Sequence, residues 1–285
     1  MDTQLDGKRA LVTGASSGLG RAIAEAMAAD GATIAVHARS EEKAKDTLDT
    51  IAKAGGNAFA VTGDMATTGE IEAMCKTALD KLGGIDIVVN NASAIATEPT
   101  ENLTAKKFDL MMDINVRGTF LLTKAALPHL RRSATRTQGA NQAPHTQGAE
   151  AAAHVMTLAP PLNLNPHWLG AHPSYTLSKY GMTLLSMGWA AEYRDAGIAF
   201  SCLWPQTYIA TSAVSNLADG DDLVKASRCP DIMADAAVEI LGKPVAEANG
   251  QCYIDADVLT AAGMTDLSRY GGGDDPMWDI FVDKS

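Results

Sequence analysis

The sequence has few basic residues, few aromatic side chains and no long apolar run. Its 285 residues include 23 lysines and arginines against 34 acidic residues, which gives a net charge of -11. Because nucleic acids and anionic membrane surfaces attract basic patches, this balance argues against both as partners. No stretch is apolar for long enough to cross a bilayer, so no membrane span is predicted.

Cysteine and histidine form no pattern that holds a metal. The four cysteines lie far apart without a Cys-x-x-Cys pair, and the six histidines show no ligand spacing. Reduced, mostly buried thiols and no metal site are predicted. The N-terminus lacks the basic start and apolar run of a signal peptide, and the last three residues are not the peroxisomal Ser-Lys-Leu signal. These absences predict a cytoplasmic protein.

A glycine-rich turn lies between a predicted strand and a predicted helix near the N-terminus. The apolar run Arg9–Thr13 stops at Gly14, and a helical pattern covers Arg21–Met27 after Gly18 and Gly20. Glycines let the backbone approach a ligand, and the helix N-terminus offers unpaired N–H groups to a pyrophosphate. This context predicts a dinucleotide site.

Strand-then-helix units repeat along the rest of the chain. The further predicted strands are Thr33–His37, Ala58–Val61, Asp86–Val89, Val155–Leu158, Ile198–Leu203 and Cys252–Ile254. The further predicted helices are Glu41–Ala54, Thr67–Leu82, Leu103–Leu130 (broken near its beginning), Tyr175–Arg194 and Ile232–Leu241. The pattern predicts one α/β domain over residues 1–285, Rossmann-like and doubly wound, with a seven-stranded parallel sheet and helices on both faces. Ligands bind at the carboxyl ends of such strands.

Two segments depart from this rhythm. Ser133–Ala153 has hardly any large apolar side chain, which predicts a mobile surface insertion. Residues 256–285 are predicted as a C-terminal tail, loosened by its glycines. Its apolar residues Trp278, Ile280 and Phe281 predict docking onto the same subunit or a partner.

Tyr175 and Lys179 stand one turn apart on a predicted helix. An isolated phenol has a pKa of about 10, too high for easy proton exchange at neutral pH. A nearby ammonium favours the phenolate and lowers that pKa. The spacing therefore predicts a tyrosine that acts as a general acid and base.

The order of these motifs resembles the short-chain dehydrogenase/reductase family over nearly the whole chain. The resemblance rests on Thr13-Gly14-x-x-x-Gly18-x-Gly20, Asn90-Asn91-Ala92, Asn115 and Tyr175-x-x-x-Lys179. A closer likeness, to the hydroxysteroid dehydrogenase-like subgroup without its sterol-carrier domain, rests on Asn90–Ile95, Pro160–Pro166, Tyr180–Met182 and Leu203–Thr207.

The resemblance implies a catalytic set of Tyr175, Lys179 and Asn115. Tyr175 would exchange a proton with the substrate oxygen, Lys179 would also bind the nicotinamide ribose, and Asn115 would hold a water that connects Lys179 to solvent. The implied cofactor-binding residues are Gly14, Ser16, Ser17, Gly18, Leu19, Asp64, Met65, Asn91, Ala92, Ser93, Thr207 and Thr211, together with Tyr175 and Lys179. Gln206 replaces the glycine that the family carries after Pro205.

Cofactor choice is predicted from the end of the second strand. NAD enzymes place an acid there to bind the ribose hydroxyls. This chain has Ala38 at that position and Arg39 next to it, and a guanidinium matches a phosphate. NADP is therefore favoured, with NAD as the alternative.

The active-site serine of the family has no counterpart here. Its position falls on Ala159 by its place after the fifth strand, or on Leu162 by its spacing from the tyrosine. Candidate substitutes are Thr157, Asn163, His172 and Ser174. Two hypotheses follow: an NADP-dependent oxidoreductase that interconverts a carbonyl and a secondary alcohol, or a dinucleotide-bound sensor or scaffold with impaired catalysis.

The expected partners are a small hydrophobic substrate and further copies of the chain. Trp168, Leu169, Tyr208 and Leu217 predict an apolar pocket. The helices Leu103–Leu130 and Tyr175–Arg194 resemble the family's two-fold interface. Their small or apolar residues Ala125, Ala126, Met187, Gly188, Ala190 and Ala191 predict a homodimer or homotetramer.

Overall fold

Seven parallel strands form the central sheet, in the order β3-β2-β1-β4-β5-β6-β7. The structure is a computed structural model that describes residues 4–139, 153–215, 220–273 and 275–284. The strands are β1 Arg9–Val12, β2 Thr33–Ala38, β3 Asn57–Thr62, β4 Ile87–Asn90, β5 Ala153–Thr157, β6 Ile198–Trp204 and β7 Gln251–Ile254. The predicted doubly wound α/β architecture is confirmed.

Twelve α-helices accompany the strands within the described ranges. They are α1 Gly18–Ala29, α2 Glu41–Lys53, α3 Thr68–Leu82, α4 Ala105–Met111, α5 Thr119–Gly139, α6 Pro166–Ala171, α7 Pro173–Glu192, α8 Ser212–Ser215, α9 Gly220–Lys225, α10 Asp231–Leu241, α11 Val245–Ala248 and α12 Asp255–Ala261. None of the helices in this described part is long and apolar enough to span a membrane.

Alternating strand residues supply two cores, one on each face of the sheet. Val89 belongs to the core that α1, α2, α10 and α12 cover, whereas its neighbour Val88 belongs to the core under α3, α5 and α7. Because helices cover both faces, the strands read as continuous apolar runs. The sheet order reverses between β1 and β4, which places the ligand crevice at their carboxyl ends.

The predicted break in the long helix before β5 is a π-helical segment, Met112–Gly118, between α4 and α5. Asn115 lies in its middle and is fully buried. A Cβ on Gly118 would stand 2.6 Å from the Met65 carbonyl oxygen, so this segment packs directly on the loop after β3. π-Helical turns are frequent at functional sites.

The predicted insertion is shorter than Ser133–Ala153. Helix α5 continues to Gly139. Ser133 donates to the Ile85 carbonyl at 2.8 Å and Ala134 is buried, so the start of the predicted insertion is packed on the subunit. Strand β5 begins at Ala153. Residues 140–152 lie outside the described residues. The composition argument was wrong for Ser133 and Ala134 because small side chains suit a close helix-to-sheet contact.

The predicted tail begins with a helix that belongs to the core. In α12, Ala256, Val258 and Leu259 are buried, and the helix packs against α10. Later residues pair with the loop after β6 of the same subunit, where Tyr208 donates its N–H to the Met277 carbonyl and Asp279 donates its N–H to the Gln206 carbonyl. Phe281 is 2% exposed and lies among aromatic rings of the chain. The docking prediction is thereby resolved in favour of the same subunit.

Candidate active site

The glycine-rich turn is fastened to β4 by polar side chains. The Asn91 Nδ2 donates to the Thr13 carbonyl at 2.7 Å, and the backbone N–H groups of Asn91 and Ala92 both reach Thr13 Oγ1. Gly14 needs its positive φ of 61°, and a Cβ on Gly20 would come within 2.3 Å of Asn91 Nδ2. These contacts explain why glycines are required at both positions.

His37, which the sequence analysis did not single out, holds the turn from the side of β2. Its Nδ1 accepts the Gly14 N–H at 3.0 Å, and its Nε2 lies 3.0 Å from the Gly63 carbonyl oxygen. The two bonds together require the neutral ring with the proton on Nε2. Burial lowers the pKa of His37, which favours that neutral form. No family motif includes this residue. The only signal in the sequence is a polar side chain near the end of an otherwise apolar strand.

A cavity of about 330 Å³ opens beside this turn. Its lining contains Gly14, Ser16, Ser17, His37, Ala38, Arg39 and Lys43. Arg39 and Lys43 are exposed, whereas Ala38 is buried. Lys43, in the first turn of α2, adds a second cation to this cavity. The sequence comparison missed it because it considered only the end of β2, where Ala38 and Arg39 lie.

Tyr175 lies in the first turn of α7 and is 6% exposed. Burial, followed by the charges of Asp279 and Tyr208, raises the pKa of its phenol well above the ordinary value. The prediction that Lys179 lowers this pKa is therefore wrong for the structure as it stands. Desolvation of the buried phenol is the largest cause of the raised pKa, and Lys179 is not among the groups that change it. Tyr175 accordingly holds its proton.

Lys179 follows one turn later and is also buried. Its Nζ donates to the Leu158 carbonyl at 2.7 Å and lies 5.1 Å from the centroid of the Trp204 ring. Burial lowers the pKa of Lys179 to about 8. The lysine is thus anchored to the end of β5 on the same side of the sheet as Tyr175.

Asn115 links the π-helical segment to α7 and to the loop after β4. Its Oδ1 accepts the Ala94 N–H at 2.7 Å, and its Nδ2 donates to the Ala94 carbonyl and to Ser178 Oγ. These bonds bring Asn115 to α7, the helix that carries Tyr175 and Lys179, without a direct bond to Lys179. Its role toward a water stays a prediction.

The loop after β6 covers the same crevice from the opposite side. Gln206 donates its N–H to Asp255 Oδ1 at 2.8 Å, which fixes the loop despite the missing glycine. Thr207 is fully buried, and its Oγ1 has no hydrogen-bond partner. A Cβ on Gly18 would lie 3.6 Å from Thr211 Cγ2. The loop therefore touches the glycine-rich turn and points an unsatisfied hydroxyl into the interior.

The other predicted cofactor residues lie around the crevice with mixed exposure. Leu19 packs on the core behind the turn, and Ser93 is exposed after β4. Asp64 caps its own loop by accepting the Ala66 N–H, and the Met65 side chain is buried in the core. Met65 can therefore face a ligand only through its backbone.

The two candidate positions for the missing serine differ sharply. Leu162 is 44% exposed, whereas Ala159 is fully buried with Met182 and Cys202. Among the proposed substitutes, Thr157 bonds to Ser186 and Asn163 bonds to the C-terminal residues. No hydroxyl at either position replaces the family's serine.

One acidic residue that sequence reasoning missed lies beside the pair. Asp279 is 8% exposed, and burial, followed by the charge of Asp255, raises the pKa of its carboxyl well above the ordinary value, although the carboxyl accepts hydrogen bonds from the Ile280 backbone and the Trp204 indole. It lies 104 positions after Tyr175 in a glycine-flanked segment, so no periodicity or motif connected the two. No group of three or more potential metal ligands exists in the ranges that the structure covers.

Comparisons with known proteins show the family of this chain. The model of the short chain dehydrogenase family matches residues 8–140. The hydroxysteroid dehydrogenase-like protein 2 of Xenopus tropicalis is 40% identical over 99% of this chain. The chain spans 65% of the length of that relative.

Solved structures give the same result. A short chain dehydrogenase from Mycobacterium thermoresistibile is 39% identical with a TM-score of 0.85, over 98% of this chain and 96% of that one. A short chain dehydrogenase from Burkholderia cenocepacia, crystallised in complex with NADP, is 25% identical with a TM-score of 0.73, over 88% of this chain and 97% of that one.

Proposed function

The chain belongs to the short-chain dehydrogenase/reductase family, and from that premise we propose that it reduces a hydrophobic carbonyl compound to a secondary alcohol with NADPH. The observation that carries this proposal is the buried, proton-holding Tyr175 one turn before Lys179, at the carboxyl ends of the strands. A neutral phenol is a proton donor, which is the form that reduction needs.

Three features fit a nicotinamide dinucleotide. The glycine-rich turn offers the N-terminus of α1 to a pyrophosphate. The cavity beside Arg39 and Lys43 supplies two cations for a 2′-phosphate. The orphan Thr207 Oγ1 suits the nicotinamide carboxamide, because a buried hydroxyl without a partner is costly until a ligand satisfies it.

The chain's own residues handle the proton. When bound, the reduced nicotinamide supplies a hydride to the carbonyl carbon. Tyr175 gives its phenolic proton to the carbonyl oxygen as that oxygen gains the electron pair of the carbonyl bond. Lys179, with its pKa lowered to about 8 by burial, stabilises the phenolate that remains. Asn115 fixes the helix from which both side chains project.

The test measures NADPH consumption with a panel of hydrophobic ketones and dicarbonyls. Tyr175→Phe should lower turnover by about 10²–10⁴-fold, the usual worth of a positioned acid. Its NADPH affinity should stay near that of the wild type, because only the hydroxyl is lost. Lys179→Ala should weaken both. Tyr193→Phe, at the far end of the same helix, is the matched control and should stay active. Full turnover in Tyr175→Phe would refute the assignment.

A second candidate is a dinucleotide-binding sensor or scaffold. Ala159, which has no hydroxyl, favours this reading because one donor to the substrate oxygen is missing. Tight NADPH binding without consumption across the whole panel would support it over the reductase.

A further inference from the structure

Two cysteines lie side by side at one end of the sheet. Cys202 in β6 and Cys252 in β7 are direct partners in the parallel register of these strands. Neighbouring strands are about 4.8 Å apart, and the Cα atoms of a disulfide are usually about 4.4–6.8 Å apart. Both side chains belong to one cluster on the same face of the sheet, together with Met182. The backbone therefore already holds the two cysteines at a separation that a disulfide can bridge.

The other two cysteines have no such arrangement. Cys75 lies in α3 and packs in the core under α3, α5 and α7, whereas Cys229 precedes α10 and packs against the core on the opposite face. All four are free thiols. Around the paired thiols the neighbours are apolar or contain sulfur, and Cys252 Sγ lies 4.0 Å from Met187 Sδ. Cys202 and Cys252 are therefore the two thiols that the sheet brings together.

An oxidant can reach this pair from one side. β7 is the last strand in the sheet order, and Cys252 is half-buried there, whereas Cys202 is fully buried behind it. The neighbouring Cys202 thiol lowers the pKa of Cys252 by hydrogen bonding, and the thiolate is the form of cysteine that reacts with oxidants. Cys252 is thus placed to react first, with Cys202 beside it to complete the disulfide.

The same cluster reaches Lys179 from behind. Met182, which packs with Cys202, has its Sδ 3.8 Å from Lys179 Nζ. Trp204 follows Cys202 by two residues, so both side chains leave β6 on the same face, and the Trp204 ring centroid lies 5.1 Å from Lys179 Nζ. A movement of Cys202 toward β7 would therefore change the packing of two side chains that touch the Lys179 ammonium.

We propose that Cys202 and Cys252 form a reversible redox site, which a peroxide converts into a disulfide and which lowers the activity of Lys179 when it is oxidised. The Cys252 thiolate attacks one peroxide oxygen, breaks the O–O bond and becomes a sulfenic acid, while the other oxygen leaves as hydroxide. The Cys202 sulfur then attacks that sulfur and expels its oxygen. With the two thiol protons, both oxygens leave as water. The two thiols are oxidised by two electrons, and the peroxide is reduced.

The first test detects the disulfide without any turnover. The reduced protein is treated with hydrogen peroxide and examined by intact mass spectrometry and peptide mapping. We expect a loss of about 2 Da from the two thiol hydrogens, a peptide link between Cys202 and Cys252, and reversal by dithiothreitol. Cys252→Ser should form no disulfide. Cys229→Ser, which removes a half-buried cysteine without a cysteine partner, is the matched control and should still form it.

A variant at the buried position identifies the thiol that reacts first. Cys202→Ser should leave a sulfenic acid on Cys252 after peroxide treatment, which dimedone labels. Cys202→Ala, which adds no hydroxyl to the apolar cluster, replaces it if the serine variant does not fold. An unchanged mass in the wild type, a link through Cys75 or Cys229, a disulfide between two chains on a non-reducing gel, or the absence of dimedone label on Cys252 would each overturn the proposal.

The second test measures the effect on carbonyl reduction, and this part alone rests on the function proposed above. Oxidation should lower kcat about tenfold or more, because a misplacement of about 1 Å near catalytic groups can cost about 100-fold. Dithiothreitol should restore kcat, and Cys252→Ser should keep its activity in peroxide. An unchanged kcat in the fully disulfide-bonded protein would overturn the effect on Lys179. If the wild type reduces no carbonyl, the reductase proposal fails, whereas the mass and the peptide map still decide whether the redox site exists.

Discussion

Arg39 follows the buried Ala38 at the end of β2 and opens onto a cavity with a second cation, Lys43. Neither side chain forms a hydrogen bond or an ion pair with another described residue, so both are available to a ligand. An acid at the position of Ala38 would bind the ribose hydroxyls of NAD and repel the extra phosphate of NADP. At the scale of single residues, we therefore expect cofactor choice to depend on this short stretch.

Arg39→Ala should weaken NADPH binding about 10–100-fold, which corresponds to the ~1.5–3 kcal/mol of a hydrogen bond to a charged group. NADH binding should hardly change, because it lacks the 2′-phosphate. Titration of both cofactors by fluorescence measures the difference. Lys45→Ala, which removes an exposed lysine of α2 that pairs with Asp49, is the matched control. Equal losses for NADPH and NADH would contradict the assignment.

The sequence predicted residues that belong to compact motifs and missed those that the fold brings together. Gly14, Asn91 and Tyr175 stand at spacings that chemistry demands, and the structure joins Gly14 to Asn91 by a hydrogen bond. His37 and Asp279 carry no such spacing. Their roles come from burial against distant segments, which a one-dimensional pattern does not record. The sequence predicted a lowered pKa for Tyr175, whereas burial raises it. Burial depends on all the residues packed around the phenol, which the sequence pattern does not reveal.

Among the elements, β5 carries an unusual buried residue. His154 is 1% exposed, and burial lowers its pKa from 6.5 to about 4. The unfolded chain therefore takes up a proton at a higher pH than the folded protein does. The contribution of His154 to the free energy of unfolding is fully present above about pH 6.5 and is lost as the pH falls toward about 4.

His154→Leu should remove this part of the acid sensitivity. The difference between the two pKa values is equivalent to ~3 kcal/mol of unfolding free energy between pH 7 and pH 4. Urea unfolding at both pH values measures it for the variant and the wild type. The exposed His167→Gln should lose stability as the wild type does, and His37 contributes equally to all three. An unchanged pH dependence in His154→Leu would refute the prediction.

Most long periodic elements were predicted within a few residues, although α5 continues to Gly139 beyond its predicted end at Leu130, and the short helices were missed. Helix α2 was expected at Glu41–Ala54 and occupies Glu41–Lys53. Helices α6, α8 and α11 have four to six residues, too few to show a 3.6-residue period. They form because tertiary contacts fix them, not because of their own propensity. The π-helical geometry of Met112–Gly118 likewise depends on close packing against Met65.

For the whole molecule, an apolar face on α5 and α7 predicts self-association. Phe120, Leu177 and Leu184 are 41%, 53% and 58% exposed. The small residues Ala126 and Ala190, expected at the interface, belong instead to the core of the subunit. Large exposed leucines therefore replace them as the basis for the predicted dimer or tetramer.

Leu184→Asp should shift the protein toward the monomer, because a charge in an apolar helix interface is left without a partner. Sedimentation at micromolar concentration reports the change. Leu164→Asp, at an exposed leucine of the loop before α6, should leave assembly intact. A monomeric wild type would refute the prediction outright.

The pairing of the C-terminal segment with the loop after β6 also sets an order of events during synthesis. The glycine-rich turn, β1 to β6 and the Tyr175–Lys179 pair all lie before residue 205, so these elements leave the ribosome first. Asp279 and Phe281, which pack on the loop after β6 and on Trp204, arrive about seventy residues later. A nascent chain can thus form the proposed cofactor site well before the residues that pack over the end of β6 are synthesised.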